Sequence, residues 1–120
     1  MLRVGIDLVE IKRIAVVMDK YGERFTRRVF TDRELAICHH RPERLATRFA
    51  AKEAVSKALG CGIGRVSWRE IEVVTDASGR PELMLHGSAA ELAAELGLGE
   101  WAVSLSHTAE QAIALVVATH

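Results

Sequence analysis

The chain has 120 residues, of which 49% are hydrophobic and 27% charged, and its formal net charge is zero. This length and apolar content predict one compact domain over residues 1–120 and exclude a disordered chain. Two cysteines without metal-binding spacing, and no apolar run long enough to cross a bilayer, predict a cytoplasmic protein with no membrane association.

Charge is distributed unevenly along the chain. Residues 1–60 carry 13 Lys and Arg against 8 Asp and Glu, whereas residues 61–120 carry 3 against 8. The basic N-terminal half favours contact with an acidic partner. Aromatic residues make up only 5% of the chain, which is too few for a base-stacking surface, so we expect no nucleic-acid partner.

The first half of the sequence predicts a strand followed by four helices. RVGIDLV is typical of a strand, and EIKRIAVVMDKY repeats its apolar residues at helical spacing as far as Gly22. ERFTRRVF predicts a short helix, and the capping box from Thr31 to Glu34 begins another. Pro42 suits the first turn of a longer helix, which Gly60 is expected to end.

The second half predicts a glycine-rich connection, a hairpin, a helix and two strands. EIEVVTD and ELMLH are strand-like and are joined by the turn ASGRP. SAAELAAEL predicts a helix ended by Gly97, EWAVSLSH alternates in polarity, and QAIALVVAT is mostly apolar. This order of elements predicts an α+β fold with a largely antiparallel sheet and flanking helices.

The predicted helix around RFAAKEAVSKALG, residues 48–60, carries charges of both signs among small apolar residues. Glu53 and Lys57 are one turn apart and could form a solvent-exposed ion pair, an arrangement worth only about 0.3–0.5 kcal/mol. Alternatively, a carboxylate beside Phe49, with Arg48, Lys52 and Lys57 nearby, could belong to a site for a metal ion and a phosphate.

Asp7 is the second unusual residue, because it interrupts an apolar strand. A carboxylate there is costly to desolvate unless it is paired or bound to a cation. It could also be the N-cap of the helix that follows. The residues alone leave both interpretations open.

Other metal and nucleophile patterns are absent. His39 and His40 are adjacent and no HExxH sequence occurs, while Ser106 and His107 point to opposite faces of a strand. Carboxylates beside cationic side chains favour Mg²⁺ holding a phosphate over Zn²⁺.

Three segments resemble the short bacterial holo-acyl-carrier-protein synthases, a branch of the 4′-phosphopantetheinyl transferase family. They are VGIDLVEIKRI at 4–14, RFAAKEAVSKALGCGIG at 48–64 and VSLSHT at 103–108. The resemblance covers nearly the whole chain and implies the fold of that family. It implies Mg²⁺-dependent transfer of phosphopantetheine from coenzyme A to a serine of an apo acyl carrier protein, a step that supports fatty acid biosynthesis. The other product would be adenosine 3′,5′-bisphosphate.

The resemblance also implies roles for individual residues. Asp7 and Glu53 would hold Mg²⁺, and either Glu53, acting through a water, or Lys57 would be the catalytic base. Arg48, Lys57 and His107 would bind coenzyme A. The family is typically trimeric with sites between protomers. The face formed by Ala102, Ser104 and Ser106 would allow close approach of another sheet, or it could equally pack inside the protomer.

From the charge distribution we expect the carrier protein to dock on the basic half through Arg13, Arg24 and Arg28. Two other functions remain open. One is a Mg²⁺-dependent hydrolase of a phosphoanhydride, and the other is a non-catalytic module that binds an acidic partner.

Overall fold

The structure is a computed structural model that describes residues 1–120. Five strands and five helices are joined by short connections, and a 3₁₀ helix at Trp68–Glu70 precedes the second strand. In chain order they are β1 (Leu2–Glu10), α1 (Ile11–Tyr21), α2 (Glu23–Val29), α3 (Asp32–Cys38), α4 (Pro42–Leu59), β2 (Ile71–Thr75), β3 (Pro81–Leu85), α5 (Gly87–Glu95), β4 (Glu100–His107) and β5 (Gln111–Thr119). Every helix and strand predicted from the sequence is present, and the α+β class is confirmed.

The strands form two sheets rather than one. β1, β5 and β4 make an antiparallel sheet in that order, and β2 and β3 make a separate antiparallel hairpin. α4 lies across one face of the three-stranded sheet and contacts all three of its strands. The sheet and this helix therefore form the frame on which the polar residues of interest are carried.

Close packing of α4 on β1 depends on small residues. Ala50, Ala51, Ala54 and Ala58 on α4 are fully or almost fully buried. A Cβ atom added to Gly5 would lie 1.8 Å from the backbone oxygen of Ala54. Because a backbone oxygen cannot rotate away, glycine at position 5 sets the distance between strand and helix.

The opposite face of the three-stranded sheet is apolar and uncovered. Leu2, Val4, Ile6 and Leu8 of β1 are each more than half exposed. On β4 the small residues Ala102, Ser104 and Ser106 are exposed, so this face does not pack inside the protomer. No helix combines the length and the apolar character that a membrane span needs.

Gly5→Ala tests the packing of α4 on β1. Overpacking of a core costs about 1–3 kcal/mol and occasionally more, and we expect the upper end because the clash is with backbone. Gly99→Ala is the matched control, since a Cβ there meets nothing within 4 Å. Urea unfolding should show a large loss of unfolding free energy for Gly5→Ala only. Equal stability of the two variants would contradict the close contact between Gly5 and the Ala54 backbone.

Candidate active site

Asp7, Glu53 and Lys57 lie together where β1 passes beneath α4. Lys57 Nζ donates to Asp7 Oδ1 at 3.1 Å and to the backbone oxygen of Ile6 at 2.9 Å. The Asp7 side chain is 18% exposed and that of Lys57 is 54% exposed. The site therefore has one largely buried carboxylate and one cation that reaches it from the solvent side.

Two interpretations considered for these residues are wrong. Asp7 is not a helix cap, because α1 begins at Ile11 with Glu10 at its N-cap position and Asp7 stays in strand β1. Glu53 and Lys57 do not pair with each other, since the salt bridge of Lys57 is made to Asp7. The strand register turns Asp7 toward α4, on the same face as Gly5, where sequence spacing alone could not place it.

Glu53 is electrostatically linked to Asp7. Burial raises the pKa of the Glu53 carboxyl above its ordinary value, and the Asp7 carboxylate raises it further. The Lys57 ammonium acts in the opposite direction. A carboxylate whose charge is disfavoured by a neighbouring carboxylate marks a place where a bound cation is favourable.

The residues present fit a Mg²⁺ ion better than a transition metal. No group of three or more His, Cys, Asp and Glu side chains comes together anywhere in the chain. Mg²⁺ in phosphate-handling enzymes is held by one or two carboxylates together with waters and substrate phosphates. Asp7 and Glu53 supply that number of carboxylates.

A cavity of about 490 Å³ adjoins this cluster. Its polar lining residues are Asp7, Glu10, Arg13, Glu53 and Gln111, while Phe25 and Phe49 contribute an aromatic wall. Of the three arginines expected to dock a carrier, Arg13 therefore lies at the site. Arg24 and Arg28 are exposed on α2 and do not line the cavity.

Arg48 and His107 line a second cavity, of about 390 Å³, that shares no residue with the first. The Nε atom of Arg48 is buried without a hydrogen-bond partner. Arg48 and Glu53 are five residues apart on α4, which directs them about 140° apart around the helix axis. Of the three predicted coenzyme A residues, Arg48 and His107 are thus brought together at the second cavity. Lys57 lies apart from them, beside Asp7.

Arg44 also lines the second cavity and was not among the residues predicted from the sequence. The available signal was its position one helical turn before Arg48, which puts both guanidinium groups on one side of α4. Two arginines and a histidine beside a cavity form a site suited to phosphate groups.

Comparison with known proteins gives the family. The model of the 4′-phosphopantetheinyl transferase superfamily matches residues 3–116. The holo-[acyl-carrier-protein] synthase of Herpetosiphon aurantiacus is 52% identical, with 98% of each chain covered. That of Moorella thermoacetica is 50% identical, with 98% of this chain and 93% of the relative covered. The Helicobacter pylori synthase in complex with coenzyme A superposes with a TM-score of 0.89 at 32% identity, covering 97% of this chain and 99% of that one.

The chain belongs to the 4′-phosphopantetheinyl transferase superfamily. This confirms the family and the enzyme class predicted from the segments at 4–14, 48–64 and 103–108. The fold of that family is confirmed as well.

The pKa of Glu53 provides a test of the carboxylate pair. In the metal-free protein, Asp7→Asn should lower the pKa of Glu53, because it removes a neighbouring negative charge. Lys57→Met should raise it, because it removes a neighbouring positive charge. Carboxyl ¹³C NMR across a pH series measures both changes. Glu91→Gln on α5 removes an exposed carboxylate elsewhere and should leave Glu53 unaffected. If Asp7→Asn leaves the pKa of Glu53 unchanged, the two carboxylates do not interact.

Proposed function

We propose that this protein is a holo-[acyl-carrier-protein] synthase. It transfers 4′-phosphopantetheine from coenzyme A to a serine hydroxyl of an apo acyl carrier protein. The serine oxygen forms a bond to the β-phosphorus of coenzyme A, the phosphoanhydride bond breaks, and adenosine 3′,5′-bisphosphate leaves with the bond's electron pair. The observation that carries the proposal is the meeting of Asp7, Glu53 and Lys57 beside a cavity in a chain of this family. The cysteine content supports a cytoplasmic location.

Asp7 and Glu53 are proposed to hold the Mg²⁺ ion. When bound, the ion neutralises the negative charge of the pyrophosphate and of the leaving phosphate. Lys57 uses two of its three N–H groups on Asp7 and on the backbone of Ile6. Its third N–H remains for a phosphate oxygen. This arrangement mainly positions the reactants and balances charge, which is the principal requirement of phosphoryl transfer.

Glu53 is the better candidate for the base that removes the serine proton. Burial and Asp7 raise the pKa of Glu53, so its carboxylate accepts a proton more readily than an ordinary glutamate. Lys57 is already engaged by a carboxylate and a backbone oxygen, to both of which it donates. We therefore assign proton removal to Glu53, through a water, and phosphate binding to Lys57.

Coenzyme A is proposed to bind with its phosphates at Arg44, Arg48 and His107. Since these residues line the second cavity, the carboxylates that complete a site come from a neighbouring protomer. The uncovered apolar face of the three-stranded sheet is a suitable contact surface for that neighbour. A ring of three protomers closes such a head-to-tail arrangement and gives a homotrimer with three sites.

Intact mass of an apo acyl carrier protein after incubation with this protein, coenzyme A and Mg²⁺ is the direct test. The carrier should gain one phosphopantetheine, and EDTA should prevent the gain. Coenzyme A cleavage without a carrier would indicate a hydrolase, and binding without any reaction would indicate a non-catalytic module.

Asp7→Asn and Glu53→Gln should each lower kcat/KM while the protein stays folded. Loss of one preorganised group that stabilises developing charge costs about 10²–10³ in rate. Glu91→Gln, an exposed carboxamide substitution on α5, is the matched control and should be as active as wild type. If both site variants turn over at a near-normal rate at low Mg²⁺, Asp7 and Glu53 are not the Mg²⁺ ligands.

Mixing two inactive variants tests the composite site. Asp7→Asn removes a carboxylate, and Arg48→Ala removes a coenzyme A contact. In randomly mixed trimers about one quarter of the interfaces combine an intact Asp7 with an intact Arg48, so activity should return on co-expression. Light scattering should show three subunits. Mixed trimers without activity would mean that each protomer builds its own site.

Charge reversal tests carrier docking. Arg13→Glu and Arg28→Glu should raise KM for the carrier and leave KM for coenzyme A unchanged, because charges at the edge of an interface act mainly on association. Wild-type kcat/KM for the carrier should fall with NaCl, and the variants should be less sensitive. Arg69→Glu, an exposed arginine in the acidic half, is the control. Equal effects on both substrates would argue against this surface.

A further inference from the structure

Lys52 has no access to solvent. It points about 100° around the axis of α4 from its neighbour Glu53, and it lines neither cavity, so it does not belong to the phosphate site that the sequence suggested. Its side chain is fully buried, and its Nζ donates to Glu34 Oε1 at 2.8 Å. It also donates to the backbone oxygens of Trp68, at 3.0 Å, and Ile71. A buried ammonium with all three donors used is a fixed joint between α4 and the segment that enters β2.

Glu34 completes this joint from α3. One carboxylate oxygen accepts from Lys52 and from the backbone N–H of Thr31, and the other accepts from the backbone N–H of Val73 at 2.8 Å. The Glu34 side chain is fully buried as well. Lys52 and Glu34 thus join α3, α4, the 3₁₀ helix and β2 at one point.

Two aromatic pairs extend from this joint to the cavity beside Asp7 and Glu53. Phe49 stacks on Trp68, with ring centroids 4.8 Å apart and planes 27° apart. Lys52 Nζ lies 5.7 Å from the Phe30 ring centroid, and Phe30 meets Phe25 edge-on at 6.0 Å. Phe25 and Phe49 line the cavity. Phe25, through Phe30, and Phe49, through Trp68, are therefore both connected to the Lys52 ammonium group.

We propose that Lys52 is a positioning residue for the transfer reaction, acting by holding Phe25 and Phe49 in place behind the Asp7–Glu53 cluster. It does so through the Trp68 backbone and the Phe30 ring, and it touches no reacting atom. This inference rests on the proposed function, since the wall it fixes belongs to the proposed active site. A displaced wall would misplace the groups that enter the cavity, and a displacement of about 1 Å can cost about 10²-fold in rate.

Two variants distinguish a positioning role of Lys52 from a role that only neutralises the charge of Glu34. Lys52→Met removes the donors but leaves the Glu34 carboxylate buried and unpaired, which destabilises the fold. Lys52→Met/Glu34→Gln removes both charges and should regain much of the lost melting temperature. If Lys52 positions the wall, kcat should stay about 10- to 100-fold low in the double variant, with KM for coenzyme A near wild type. Leu92→Ala on α5 is the control for lowered stability alone and should keep wild-type kcat.

Tryptophan fluorescence gives a readout that needs no substrate. The chain has two tryptophans, so Trp101→Phe leaves Trp68 as the only emitter. Acrylamide quenching of Trp68 should increase in the double variant and stay unchanged in Leu92→Ala. Recovery of kcat together with stability, or normal Trp68 quenching with lowered kcat, would overturn the proposal. Wild-type protein that modifies no carrier would count against the proposed function, and quenching would still decide whether Lys52 holds the wall.

Discussion

The contact between Gly5 and the backbone of Ala54 is the constraint on which the site depends. A side chain at position 5 would force β1 and α4 apart, because it would meet the Ala54 carbonyl oxygen at 1.8 Å. Asp7 lies two residues beyond that contact on the same face of β1, and Glu53 precedes Ala54 on α4. Backbone packing of the strand on the helix therefore brings the two carboxylates together without an attractive interaction between them.

The charged side chains of α4 lie in different environments, because the helix directs them to different sides. Lys52 points inward to Glu34, Glu53 points to the Asp7 cavity, and Arg48 points to the second cavity. Buried alanines occupy the positions between them and allow the neighbouring elements to approach. A weak overall amphipathic pattern follows from this arrangement, since one helix faces a sheet, a buried ion pair and two open cavities.

Much of this could be predicted from the sequence, and the limits are physical. The elements followed from local signals, such as the Thr31 capping box, which the structure retains. The pairing of Asp7 with Glu53 required the family motif, because 46 positions separate them along the chain. The Glu34–Lys52 joint was missed altogether. The sequence assigned Glu34 only to a capping box and Lys52 only to a possible phosphate site, and only the packing of α3 against α4 shows that the two form a buried pair.

A single protomer carries two incomplete halves of the proposed site and an uncovered apolar sheet face. Association of protomers through the apolar face would account for both features, because it would cover that face and join the cavities of neighbouring protomers. The apolar surface then has a favourable free energy of burial that does not compete with substrate binding. Because association follows mass action, the fraction of complete sites would depend on protein concentration, so assembly and activity would be linked through the same sheet face.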